Sequence, residues 1–271
     1  MPNIDRDDCQ LYWADSGRGE PLLLVQGLGY PSDMWYRWLP DLTQRYRVLR
    51  FDNRGVGRTG VPPGPYTIEQ MADDALAVLD AAGVERAHIV GASLGGIIVQ
   101  QLALDHPDRL LSLVLACTGP GGGEHVQPDP EATAMAVARA SLTPEEAAEV
   151  AVPFVYAKAT SREMIEEDFA VRARIPTTPE GYSNQLSAVL GYAGSASRLS
   201  EITVPTLVMT GTEDRLVHPD NSTFLAEHIR GARLARIEGA SHVMFTDQPV
   251  ATLQTLLDFL ADVPMLRAQA P

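Results

Sequence analysis

Short apolar runs alternating with helix-forming stretches limit what this chain can fold into more than any other feature. Four runs, Pro21–Gln26, Tyr46–Phe51, His88–Gly91 and Leu111–Ala116, read as buried strands. Between them helices are predicted, one opening at the capping box Thr67–Gln70 and stopped by Gly83, another over Gly95–Leu104. Strands that alternate with helices call for a mostly parallel sheet covered on both faces. From Gly119 to about Ser200 the alternation stops, and Thr143 and Ser161 open helices there instead. It resumes with a strand at Thr206–Thr210, a helix at Pro219–Arg230, a strand at Ala232–Ile237 and a closing helix at Val250–Leu260. The reading is an α/β core made of residues 1–119 and 201–271, with a helical insertion at 120–200.

Composition removes several classes of function. With 271 residues, 45% apolar and 21% charged, the chain can bury a full core. A formal net charge of −14 opposes phosphate backbones, so nucleic acid is not an expected partner. Cys9 and Cys117 make no disulfide framework, and no Cys/His cluster has zinc-ligand spacing. The acidic stretch Met1–Asp8 lacks the apolar segment of a signal peptide. The longest apolar run, Ile89–Val99, is broken by glycines and a serine and is too short to span a bilayer. A soluble, cytoplasmic protein without membrane partners is the expectation; the sequence does not specify an oligomeric state.

The chemistry concentrates in Gly91-Ala92-Ser93-Leu94-Gly95, a G-x-S-x-G that leaves a strand and enters a helix. Serine is a poor nucleophile at neutral pH and needs a base oriented by a carboxylate. Of six histidines, His88 lies within a strand, His106 and His228 near helix ends, and His125 in the loop opening the insertion. His242 instead follows a strand, in a loop at the carboxyl edge of the sheet. The acid candidate is Asp214, just beyond the Thr206–Thr210 strand, with Glu213 as its close rival. Donors for a developing oxyanion are expected from the N–H of Leu94 and, in the loop after the Pro21–Gln26 strand, the N–H of Leu28.

The elbow, the order Ser93, Asp214, His242 and the turn Asp52–Thr59 resemble the α/β-hydrolase superfamily from about residue 20 onward. The similarity is greatest to small bacterial members: carboxylesterases, 3-oxoadipate enol-lactonases and cofactor-free haloperoxidase-like esterases. The turn matches the family's D-x-R-G-x-G-x-S with Thr59 in the last place, and Asp52 and Arg54 read as its braces. Members carry His-Gly after the third strand, where this chain has Gln26-Gly27; the backbone donor is kept. The resemblance implies an α/β-hydrolase fold, no cofactor or metal, and a cap formed by residues 120–200. It also makes Trp35 a candidate wall of the acyl pocket, against the alternative of a core aromatic.

The expected function is cleavage of a small-molecule carboxylic ester or lactone through an acyl-enzyme. An enol-lactonase acting on a carboxylated ring, a carbon–carbon hydrolase or perhydrolase on the same residues, and a ligand receptor retaining them are the alternatives. A carboxylated substrate needs a buried cation, for which Arg139, Arg162, Arg172 and Arg174 are unranked candidates. With no cap arginine identified as buried, the acidic surface favours uncharged substrates.

Overall fold

Apolar residues on the central strands face two ways, and this divides the core. In the computed structural model, which describes residues 3–6 and 8–263, Leu22 and Leu24 pack with Trp35, Trp38, Leu256 and Phe259. Leu23 and Val25 point to the opposite face and pack with Met71, Ala75, Ile98 and Leu102. Such two-sided burial requires helices on both faces.

Among the described residues the strands are β1 (Asn3–Asp5), β2 (Gln10–Gly17), β3 (Glu20–Val25), β4 (Tyr46–Phe51), β5 (Ala87–Ala92), β6 (Leu110–Ala116), β7 (Thr206–Gly211) and β8 (Arg233–Ile237). They form one sheet in the order β1-β2-β4-β3-β5-β6-β7-β8. β4 through β8 run parallel, while β1 and β2 are antiparallel to their neighbours. All the residues of β5 and β6 are buried, as central parallel strands should be. The sequence pattern missed β1 and β2. Only Leu11–Ala14 of β2 form a buried apolar run; the rest is held by pairing with the backbone of β4.

Helix starts follow capping chemistry. Thr67 Oγ1 accepts from the N–H of Gln70 at 3.1 Å, but only half of the expected capping box forms, because the Gln70 amide donates to Asp8 instead. At Thr143 the box is reciprocal: Thr143 accepts from Glu146 N–H, and the Glu146 carboxylate accepts from Thr143 N–H.

Between β6 and β7 the described residues contain helices at Pro130–Ala138, Pro144–Val155, Arg162–Ala173 and Pro179–Gly191, and no strand. A buried carboxylate ties this layer to the rest. Asp168 accepts from the hydroxyls of Tyr36 (2.7 Å), Tyr156 (3.0 Å) and Thr246 (2.7 Å). No helix among the described residues is long and apolar enough to cross a membrane.

Candidate active site

The sheet's carboxyl edge collects the candidate residues. Ser93 follows β5 directly and has φ 54° and ψ −119°, a left-handed conformation that costs a non-glycine residue about 1–3 kcal/mol. Its N–H donates to Ala116 O at 2.9 Å, and its carbonyl accepts from Thr118 Oγ1 at 2.8 Å. The helix Leu94–Asp105 begins at the next residue. The elbow demands glycine at its flanks: a Cβ on Gly95 would lie 2.2 Å from Val25 O, and one on Gly91 2.3 Å from Gly95 O.

Asp214 and His242 are brought together from the loops after β7 and β8. His242 Nδ1 and Asp214 Oδ2 are 2.8 Å apart, with both residues buried. Asp214 Oδ1 accepts from the N–H groups of Leu216 (2.9 Å) and Val217 (2.8 Å), which fixes the carboxylate plane. The rival Glu213 is exposed, and its N–H donates to Ala240 O. Another carboxylate missed in the sequence, Asp247, holds the histidine loop. It accepts from Ser241 N–H at 2.7 Å and from Ala157 N–H at 3.1 Å.

Ser93 and His242 line the same cavity without a direct hydrogen bond between them, as is common before a substrate is seated. The oxyanion candidates stand out by what their neighbours do. Gly27 N–H donates to the Gln26 side chain at 2.9 Å, and Gly29 N–H to Gln185 Oε1 at 2.9 Å. Leu28 N–H, between them, and Leu94 N–H have no acceptor among the described residues. Gln26, in the place of the family's histidine, thus braces the loop through its own amide. Gln185, fully buried on the helix Pro179–Gly191, also donates to Arg54 O at 2.8 Å, so the capping layer clamps this loop. Asp52 braces the adjoining segment by accepting from Ser32 N–H and from Arg58.

The cavity measures about 380 Å³, within the range of small-molecule sites. Its wall is largely apolar, and Val137 and Leu190 are exposed at 57% and 74% while contributing to it. Trp35 is not part of the lining. It is 1% exposed and packs on Trp38 and Phe245 at centroid distances of 5.3 and 5.1 Å. Phe245 lines the cavity instead, so the tryptophan supports the wall from behind.

Two further polar residues of the lining are His125, which the sequence reading leaves as a loop residue, and Arg139, one of its four unranked cation candidates. His125 has a buried Nδ1 without a partner, and burial lowers its pKa below the usual imidazole value, which keeps the ring neutral near neutral pH. Arg139 separates itself from the other cap arginines. It is 6% exposed and lines the cavity, whereas Arg162 pairs with Glu149 and Glu166 at the surface. Arg172 stacks on Tyr30, and Arg174 is exposed. The premise behind the preference for uncharged substrates, that no cap arginine is buried, therefore fails at Arg139. Burial, with Asp214 nearby, pushes the thiol of Cys117, also in the lining, well above the ordinary range. Among the described residues no group of His, Cys, Asp and Glu is placed to hold a metal ion.

Residues 20–249 match the family model of the α/β-hydrolase fold, the chain belongs to that family, and hydrolysis is its class of reaction. A relative in Azorhizobium caulinodans named "Putative carbamate hydrolase RutD" is 33% identical, covering 97% of this chain and 99% of its own. The 3-oxoadipate enol-lactonase 2 of Acinetobacter baylyi is 31% identical, covering 92% of each. Among solved structures, an esterase from Thermogutta terrifontis superposes with a TM-score of 0.85 at 26% identity. That match covers 98% of this chain and 100% of the esterase.

Proposed function

We propose that this protein is a serine hydrolase that cleaves a small carboxylic ester or lactone by two-step acyl transfer. The observation that carries the reading is the Asp214–His242 hydrogen bond of 2.8 Å, facing the cavity that also holds Ser93. Asp214 accepts a hydrogen bond from His242 Nδ1–H, which keeps the ring proton on Nδ1 and leaves Nε2 as the base. His242 takes the Ser93 proton as Oγ attacks the carbonyl carbon, and the C=O electron pair moves onto the oxygen. The N–H groups of Leu28 and Leu94 stabilise that oxyanion. Its collapse expels the leaving alcohol, which takes the proton from His242. Water then enters by the same route, deprotonated by His242, and releases the acid and Ser93. The enol-lactonase relative and the esterase neighbour support an ester-type carbonyl.

The test is a panel of p-nitrophenyl esters, lactones and carbamates of graded size, assayed at neutral pH. Turnover of esters or lactones at more than one event per enzyme is expected, and it also excludes a receptor. Turnover of carbamates alone would move the protein to the chemistry in the name of its Azorhizobium relative.

The clamp on the oxyanion loop gives a separate expectation. Gln185→Leu leaves Gly29 N–H and Arg54 O without partners, which should cost about 1–3 kcal/mol of stability. Because Leu28 sits next to Gly29, kcat should fall more than KM changes. Thermal melting and steady-state kinetics on the best panel ester check both parts.

A further inference from the structure

Resting on the serine-hydrolase reading, we propose that Arg139 anchors a substrate carboxylate and selects small esters, lactones or carbamates carrying one free acid group. Two arginines are buried among the described residues, and they differ in one respect. Arg54 is 1% exposed and fully paired, with Asp74 in a two-point bond at 2.7 and 2.9 Å and Asp8 at 2.8 Å. Arg139 forms no ion pair with a carboxylate among the described residues, and its Nε has no hydrogen-bond partner among them. A buried charge without a counter-ion is costly unless something supplies one.

What surrounds Arg139 does not supply it. The guanidinium lies over the Tyr182 ring, 4.8 Å from the centroid, and the ring is fixed by its hydroxyl donating to Ala136 O at 3.0 Å. An aromatic face holds the guanidinium plane and leaves its N–H edges for a planar anion. Among the residues lining the catalytic cavity there is no Asp, Glu or Lys. Arg139 is therefore the one formally charged residue among the described residues that line this largely apolar cavity. On the far side, Arg139 and Tyr182 also border a second cavity of about 240 Å³, which carries Glu145, Glu149 and Arg172. Glu149 is committed to Arg162, and neither glutamate comes within 4.0 Å of the Arg139 guanidinium.

Charge of opposite sign thus sits inside a chain of net −14. The outer field slows the approach of anions but is screened within about 8 Å at physiological salt. A charge-assisted bond inside the cavity is local and dominates once the substrate enters.

The experiment compares mono-p-nitrophenyl glutarate with p-nitrophenyl pentanoate, in which a methyl group replaces the terminal carboxylate. Wild-type kcat/KM should favour the glutarate ester. Arg139→Met should lower the ratio of the two kcat/KM values by roughly 10- to 100-fold, and Arg139→Lys should recover part of it. A ratio unchanged in Arg139→Met would overturn the proposal and leave Arg139 as a packing partner of Tyr182. Calorimetry on the wild type with glutarate and glutaramide, its neutral diamide, needs neither a variant nor turnover. Tighter binding of glutarate supports the anchor, and equal or absent binding overturns it. If the wild type hydrolyses neither ester, the serine-hydrolase reading fails, while the calorimetric comparison still decides Arg139.

Discussion

Ser93→Ala is expected to abolish hydrolysis and to leave the melting temperature nearly unchanged. The expected loss in kcat is on the order of 10⁶-fold, the scale on which nucleophile removal acts in serine proteases. The packing argument is independent of the chemistry. Ser93 is half-buried at the cavity, and the elbow's hydrogen bonds run through its backbone N–H and C=O, not its hydroxyl. Alanine keeps a Cβ and therefore the same strained φ of 54°. The stability change should stay within about 0.5 kcal/mol, as for substitutions that break no buried contact. Measured together, kinetics and melting separate a lost nucleophile from a lost fold. A mutant that keeps a tenth of the activity would place the nucleophile elsewhere.

The parts of the molecule legible in the sequence are those where one local rule governs. Tyr46–Phe51 is a strand with the expected bounds, because an apolar run between turn residues has few other uses. The elbow was legible because Gly91 and Gly95 are required by backbone approaches that no side chain survives. The sequence favours Asp214 over its close rival Glu213 on position alone, since adjacent residues on one loop have nearly the same spacing. Only the geometry separates them, through the two N–H donors of Leu216 and Val217 that face Asp214.

What stayed illegible depends on distance along the chain. Gln185 meets Gly29 across 156 positions, and Asp168 meets Tyr36 across 132; neither has a local signature. Trp35 illustrates the opposite error. A large aromatic near the oxyanion loop fits a pocket wall and a core equally well, and the stacking with Trp38 and Phe245 decides it. Arg139 was one of four equivalent cap arginines until burial singled it out. Formal charge is visible in a sequence, whereas the absence of a counter-charge is visible only in space.

Asp214→Asn is expected to cost roughly 10⁴-fold in kcat, while Glu213→Gln changes it less than about twofold. The reason lies in how the carboxylate divides its two oxygens. Oδ1 accepts from Leu216 N–H and Val217 N–H, and Oδ2 faces His242 Nδ1 at 2.8 Å. An asparagine has one oxygen, and two backbone donors outbid one imidazole for it. The amide NH₂ must then face His242, which turns Nδ1 into an acceptor and moves the ring proton to Nε2. In that tautomer the nitrogen nearest the cavity carries a proton and cannot accept one from Ser93. Raising the pH does not correct this, because the neutral ring itself is in the wrong form. The variant's activity should therefore stay low across the neutral range, which simple loss of a negative charge would not require. Glu213 is exposed and contributes its backbone N–H to the loop, a bond that glutamine keeps. The measurement is kcat against pH for both variants on one ester. Reversed phenotypes would transfer the acid's role to Glu213 and remove the hydrogen bond on which the proposed mechanism turns.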